Sequence, residues 1–154
     1  MSRQTLTRHV TPEDLDSVFS IEQETFDTNA YPRFFFRQAY DVFGELFRVA
    51  EMEDGEIAGY ILGSLQAGDT VGWIVSLAVR QEHRRKGIAK SLLNSVLERL
   101  SDRGTDTVLL TVEPANTGAI EAYRDSGFRE VESIPDCFGP GEPRIVMGKE
   151  LVNF

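Results

Sequence analysis

The sequence predicts a single mixed α/β (α+β) domain, a mostly antiparallel central sheet of about seven strands flanked by about four helices. Three observations carry this. The 154-residue length suits one domain built around one core. Apolar residues switch repeatedly between the period of two expected of strands and the longer period expected of helices. Turn-forming residues divide the chain into short segments, and no internal repeat, low-complexity stretch or linker interrupts them, so residues 1–154 read as one domain.

RQTLTRHV, residues 3–10, alternates like a strand. TPEDLDSVFSIEQETF follows with Thr11 as N-cap, Pro12 at the first helical position and Asp14 three residues on; Leu15, Val18, Phe19 and Glu22 mark one helical face. The turn-rich DTNAYPRFFFRQAYDVFGE leads into a second, aromatic helix that should end near Gly44. LFRVAEMEDGEIAGYILGSLQ reads as a hairpin in which Asp54-Gly55 supplies the positive backbone angles of a tight turn. TVGWIVSLAV is a fourth strand. From Ile88, the residues Leu92, Leu93, Val96, Leu97 and Leu100 recur at helical spacing until Arg103-Gly104. TDTVLLTVEP is a fifth strand, and NTGAIEAYRDSGF a short helix closed by Gly127. FREVESIPD and PRIVMGKEL complete the set, joined by CFGPGEP. The resulting order predicts an antiparallel early sheet with strand–helix–strand crossovers later.

Composition narrows the function. A net charge of −9 argues against general nucleic-acid binding, whose affinity comes from neutralised phosphates. No apolar run reaches the ~18 residues that span a bilayer, and MSRQTLTRHV lacks the apolar core of a signal peptide. The expectation is a cytoplasmic protein, a monomer or homodimer, with no nucleic-acid or membrane partner. Its lone cysteine, Cys137, excludes an internal disulfide and a thiolate metal cluster, and no metal is expected. Only three of the 16 basic residues are lysines (Lys86, Lys90, Lys149); an acidic, lysine-poor surface suits high salt but also arises by compositional drift.

Against that acidic background the stretch VSLAVRQEHRRKGIAKSLL concentrates positive charge where a strand turns into a helix. Such a junction offers unpaired N–H groups and the positive end of the helix dipole, which favours an anion. Within RRKGIA, Gly87 and Ala89 place almost nothing between the backbone and a diphosphate, and Arg84, Arg85 and Lys86 add charge at the rim. So loose a pattern would arise by chance in roughly one chain in ten, and a solvated basic helix start would look the same. Its position between a clear strand and a clear amphipathic helix gives it weight. The Walker loop and the dinucleotide glycine fingerprint are both missing.

That stretch, followed about twenty residues on by VEPANTGAIEAYRDSGFRE, resembles motifs A and B of the GNAT superfamily of N-acetyltransferases, and its spacing is most similar to the RimI-like and N-terminal amine acetyltransferase branch. The element order matches that family over nearly the whole chain. The resemblance implies a GNAT-type domain and acetyl-CoA as donor. It implies that Arg84, Arg85, Lys86, Gly87, Ile88, Ala89 and Lys90 hold the CoA pyrophosphate, and that the backbone of Leu77, Ala78 and Val79 pairs with the pantetheine arm. Asn116 is implied to contact the pantetheine, a role compatible with capping its helix. Tyr123 matches the motif-B tyrosine, implied to be the general acid toward the CoA sulfur; without the resemblance it would read equally well as a packing aromatic.

The proton acceptor is where this chain departs from its relatives. RimI-like enzymes carry glutamate five positions before the motif-B asparagine and some eukaryotic relatives histidine; here the residue is Thr111. A fourth-strand tyrosine used by those eukaryotic enzymes is Trp73 here. Neither accepts a proton. Glu113, two residues beyond Thr111 and so on the same strand face by alternation, is the leading carboxylate, ahead of Glu82 and His83 in the cofactor-side turn. A weak base favours an acceptor that is already partly neutral: an α-amine of pKa ~8 is about a tenth neutral at pH 7, a lysine of pKa ~10.4 under one in a thousand.

In the family, the loop between the first two helices and the loop between the last two strands wall the acceptor cleft. Tyr31, Phe34, Phe35 and Phe138 are the corresponding candidates, although an aromatic stripe on a helix also reads as core. Many peptide-acetylating relatives carry Tyr-Tyr where this chain has Cys137-Phe138, which removes hydroxyls that would bind a peptide backbone. Cys137 as an acyl carrier is less consistent with a family that transfers directly. The resemblance thus implies transfer of acetyl to a primary amine, with a protein N-terminal α-amine as first expectation. Two alternatives are a small-molecule amine acetyltransferase on the same scaffold and a non-catalytic CoA-binding sensor or interaction module.

Overall fold

The structure, a computed structural model, describes residues 5–151. The expected first strand begins at Arg3 and Gln4, which lie outside the described residues. In chain order the elements are β1 (Leu6–His9), α1 (Leu15–Phe26), α2 (Arg33–Phe43), β2 (Phe47–Glu51), β3 (Ile57–Leu65), β4 (Val71–Val79), α3 (Ile88–Asp102), β5 (Thr107–Val112), α4 (Thr117–Asp125), β6 (Arg129–Ile134) and β7 (Arg144–Glu150). The seven strands form one mixed sheet in the order β1-β2-β3-β4-β5-β7-β6. Pairing is antiparallel for β1/β2, β2/β3, β5/β7 and β6/β7 and parallel for β4/β5. This is the expected α/β architecture. The later crossovers differ in kind: α3 links parallel neighbours, whereas β7 inserts between β5 and β6.

The chain divides into two compact units. One runs to Ser64 and resumes over Ser76–Arg99; the other comprises Leu65–Val75 and the chain from Leu100 onward.

In the first unit, Pro12–Asp14 forms a 3-10 turn that precedes α1. Asp14 is buried and accepts hydrogen bonds from the Thr11 N–H at 2.8 Å and from both terminal nitrogens of Arg8 at 2.7 and 3.0 Å. Burial works to raise the Asp14 carboxyl, but the bonds from Arg8 and Thr11 outweigh it and hold the group below the usual carboxylate range. The buried face of α1 is Val18, Ile21 and Glu22, so Ile21 replaces Leu15 and Phe19, which are half-buried, at its centre. Phe36 of α2 packs against Phe47 of β2 and Tyr60 of β3, with ring centroids 6.4 and 5.6 Å away. Gly59 is required by close approach, since a Cβ there would stand 2.8 Å from the Ala78 carbonyl oxygen.

The β2–β3 connection corrects one expectation. Only Gly55 has a positive φ, +92°; Asp54 instead accepts the Glu56 N–H on its side chain at 2.9 Å. The bonds from Met52 N–H to Glu56 and from Gly55 N–H to Met52 close a loop wider than a two-residue turn.

In the second unit, β5 buries Val108, Leu110 and Val112 and leaves Thr107, Leu109 and Thr111 half-buried. That is the alternation of a strand with one covered face. Gly72 is again a close-approach position: a Cβ would lie 3.0 Å from Leu100. β6, an edge strand, is exposed along most of its length and slips register between Glu130 and Glu132, a charged, irregular edge that resists pairing with another chain.

Candidate active site

The basic turn lies wholly within the first unit. After β4 the chain makes a 3-10 turn over Gln81–His83, and the Arg84 Nε–H donates to the Val79 carbonyl at 3.1 Å, tying the turn to the strand end. Arg85 and Gly87 both adopt left-handed backbone angles, φ +65° and +79°. Successive N–H groups in such a segment point to a common side and make a concavity that suits an anion. Ser91 N–H donates to Gly87, so the N–H groups of Ile88, Ala89 and Lys90 lie ahead of the α3 ladder. A Cβ on Gly87 would meet nothing within 4 Å, so the space before the turn is open. Arg84, Arg85, Lys86, Gly87 and Lys90 are exposed, Ala89 is half-buried, and Ile88 is buried and anchors the helix. These groups fit a diphosphate. Ahead of the turn Leu77 is half-buried and Ala78 and Val79 are buried.

A brace that sequence reasoning did not anticipate ties the turn to the β2–β3 connection. His83 Nε2 is hydrogen-bonded to Glu56, and Lys86 Nζ donates to His83 Nδ1 at 3.3 Å. Donation into Nδ1 leaves the ring proton on Nε2, facing Glu56. Glu56, Glu82 and His83 place three potential metal-ligand atoms within 4.8 Å of one another. A cation at Nε2 would move that proton to Nδ1, where Lys86 now donates, so the geometry favours a hydrogen-bonded brace.

The first unit also holds three aromatic candidates. Tyr31 and Phe35 are half-buried and stacked, 4.3 Å between centroids, and Phe34 at the start of α2 is 66% exposed. The Tyr31 N–H donates to Oε2 of Glu22 at 2.9 Å.

In the second unit the motif-B residues cluster around α4. Asn116 caps that helix, its side chain accepting the Ala119 N–H at 3.1 Å, and its own N–H donates to the Glu113 carbonyl at 2.9 Å. Tyr123 packs edge-on against Phe128 at 5.8 Å. Burial pushes its phenol up to about 12, so the hydroxyl keeps its proton at neutral pH. Glu113 is exposed, one residue past the end of β5. Trp73 pairs with Leu109 in the parallel β4/β5 register, and Leu109 and Thr111 share a strand face. Trp73 and Thr111, at the two positions where the family resemblance implies a base, therefore lie on one face of this part of the sheet. In the last loop Phe138 is 56% exposed beneath the Arg144 guanidinium, 4.5 Å from its ring, and the Asp136 side chain accepts the Gly141 N–H at 2.9 Å. Cys137 is a half-buried free thiol.

Residues 15–128 match the family described as the acetyltransferase (GNAT) family. The chain is 34% identical over 149 residues to an uncharacterized N-acetyltransferase of Methanocaldococcus jannaschii, covering 96% of this chain and 93% of that one. It is 31% identical over 155 residues to an N-alpha-acetyltransferase of Sulfolobus acidocaldarius, covering 94% and 91%. The crystal structure of Ard1 from Thermoplasma volcanium superposes with a TM-score of 0.88 at 25% identity, covering 97% and 99% of the two chains.

Proposed function

This chain belongs to the acetyltransferase (GNAT) family, and from that premise we propose that it transfers the acetyl group of acetyl-CoA to the α-amine of a protein N-terminus, in the cytoplasm. The observation that carries the donor assignment is the pair of left-handed residues, Arg85 and Gly87, directly ahead of α3. The acceptor class is supported by the N-alpha-acetyltransferase of Sulfolobus acidocaldarius, a relative aligned over 94% of this chain.

When bound, the donor supplies an acyl carbon activated as a thioester. The turn from Arg84 to Lys90 holds its diphosphate through backbone N–H groups and side-chain charge, and the backbone of Leu77, Ala78 and Val79 lines the pantetheine arm. Asn116 sets the start of α4 and contacts the same arm. Tyr123, whose phenol burial pushes up to about 12 and which is therefore protonated throughout the neutral range, would hold the proton for the departing sulfur. The acceptor enters as the neutral amine, and Glu113 would take the one proton its nitrogen loses as the amide forms. Tyr31, Phe34, Phe35 and Phe138 receive the acceptor. No helix among the described residues is long and apolar enough to cross a membrane.

Thermal unfolding with acetyl-CoA tests the donor site. A ligand at a hundred times its Kd stabilises the folded state by about 2.7 kcal/mol, a rise in Tm of roughly 5–10 °C for a chain of this size. Gly87→Glu puts a carboxylate and a strained backbone where the diphosphate belongs and should abolish the rise. Equal CoA affinity of the two proteins in calorimetry refutes the assignment.

A further inference from the structure

Glu22 occupies an unusual position for a carboxylate. It lies on the apolar face of α1, is 1% exposed, and burial pushes its carboxyl above the usual range against the opposing hydrogen bonds. One oxygen accepts the hydroxyl of Tyr60 on β3; the other accepts the backbone N–H of Tyr31 at 2.9 Å. Tyr60 is itself fully buried and shares a hydrogen bond with Ser76 Oγ at 2.6 Å. The aromatic contacts close the circuit, because Tyr31 packs edge-on against Phe36 at 6.3 Å and Phe36 packs edge-on against Tyr60 at 5.6 Å.

From these contacts we propose that Glu22 is a positioning residue: it clamps the α1–α2 connection to β3 through the Tyr31 N–H, and so fixes the Tyr31–Phe35 stack as the acceptor-binding surface. The part concerning acceptor binding rests on the functional reading above; the clamp itself does not. Tyr31 stands between the 3-10 turn Asp27–Asn29 and the first turn of α2. Glu22 accepts its N–H from a helix already locked in the core by Val18 and Ile21. What the clamp needs is an acceptor at Tyr31, not a negative charge. Tyr60 and Ser76 are hydroxyls that donate or accept, so a neutral group at position 22 can donate to Tyr60 while still accepting from Tyr31. Glutamine does this with its amide nitrogen and oxygen; alanine cannot.

Amide hydrogen exchange and steady-state kinetics on the full chain test the two parts separately. Glu22→Ala should drop protection of the Tyr31 amide to the level of the freely exposed loop, and Glu22→Gln should keep it. With acceptor peptides bearing a free N-terminus, Glu22→Ala should raise KM about tenfold, the upper end of losing a buried hydrogen bond. Its kcat and CoA affinity should stay within about twofold, and Glu22→Gln should return KM to near the wild-type value. Tyr60→Phe keeps the ring but removes one partner of Glu22, and should weaken Tyr31 protection in the same direction if Glu22→Ala fails to fold. Unchanged Tyr31 protection in Glu22→Ala, or in Tyr60→Phe in its place, overturns the clamp. Lost protection with unchanged peptide KM overturns its role in acceptor binding. A wild-type protein that acetylates no N-terminal peptide overturns the functional reading and leaves the exchange result to decide the clamp.

Discussion

The surroundings of Tyr123 bear directly on the role proposed for it. Its half-buried ring on Phe128 and a phenol pushed up to about 12 give a group that keeps its proton until well past neutral pH. Because the folded value lies above the free value near 10, its contribution to stability is fully present below pH ~10 and is lost as pH rises from there through about 12. General acids contribute about 10²–10⁴-fold, and a thiol leaving group with a pKa near ~8.5 needs the least help, so Tyr123→Phe should slow turnover roughly a hundredfold. The loss should be the same at pH 7 and pH 9, since the phenol is neutral at both, and CoA affinity should barely change. Single-turnover rates beside thermal unfolding decide the matter: an unchanged chemical step with lowered Tm would make Tyr123 a packing residue only. Gly87 makes a complementary case. The space around it is open but its φ is +79°, so Gly87→Ala should cost about 1 kcal/mol of strain while leaving room for the diphosphate, whereas Gly87→Glu should remove binding.

At the scale of elements, the start of α1 depends on charges that the chain order brings together. Arg8 on β1 forks onto Asp14 and also reaches Glu51 on β2 at 2.7 Å, so one guanidinium joins the first strand, the helix start and the second strand. Asp14→Asn keeps the shape but removes the charge; with Arg8 partly exposed, the loss should be about 1–2 kcal/mol, or roughly 3–6 °C in Tm. Asp14 is held below the usual carboxylate range, so its contribution is present above pH ~4 and is lost as pH falls through its folded value. Urea midpoints between pH 3 and 7 should therefore fall on the acid side in the wild type and fall less in Asp14→Asn. The Thr11-Pro12 start of this element was readable from sequence, as were the α3 stripe and the succession of strands and helices along the chain, because each rests on local periodicity and caps; the insertion of β7 between β5 and β6 was not. The partners of Glu22 and His83 were not. Glu22 sits on the apolar stripe of α1, but its donors come from 9 and 38 residues away, and Glu56 reaches His83 across 27 residues. The Asp54-Gly55 turn failed for a different reason: Asp54 has a second way to close a loop, by accepting a backbone N–H itself.

Across the whole molecule, the site residues read from sequence fall into both compact units, the basic turn in one and Asn116, Tyr123 and Glu113 in the other, while the chain carries a net charge of −9. The motif resemblance made these positions readable, but not which group removes the acceptor's proton, because Thr111 and Trp73 stand where that resemblance implies a base. That substitution sets the selectivity expected of the protein. With the exposed Glu113 as the leading candidate, the supply of neutral amine is expected to be governed mainly by the acceptor's own ionisation. An α-amine of pKa ~8 exceeds a lysine of pKa ~10.4 in neutral fraction by roughly two hundredfold at pH 7, but by only about twentyfold at pH 9, where the α-amine is already mostly neutral and the lysine still gains with each unit. Acetylation of a peptide carrying both a free N-terminus and an internal lysine should follow that trend. The N-terminal rate should level off above pH ~8 while the lysine rate, measured on the N-terminally blocked peptide, rises about tenfold from pH 8 to 9. Mass spectrometry of the two products across this range supplies the ratio. A ratio independent of pH would mean that a protein base, and not the acceptor's own pKa, sets the choice, and preferential modification of the internal lysine at pH 7 would overturn the α-amine assignment.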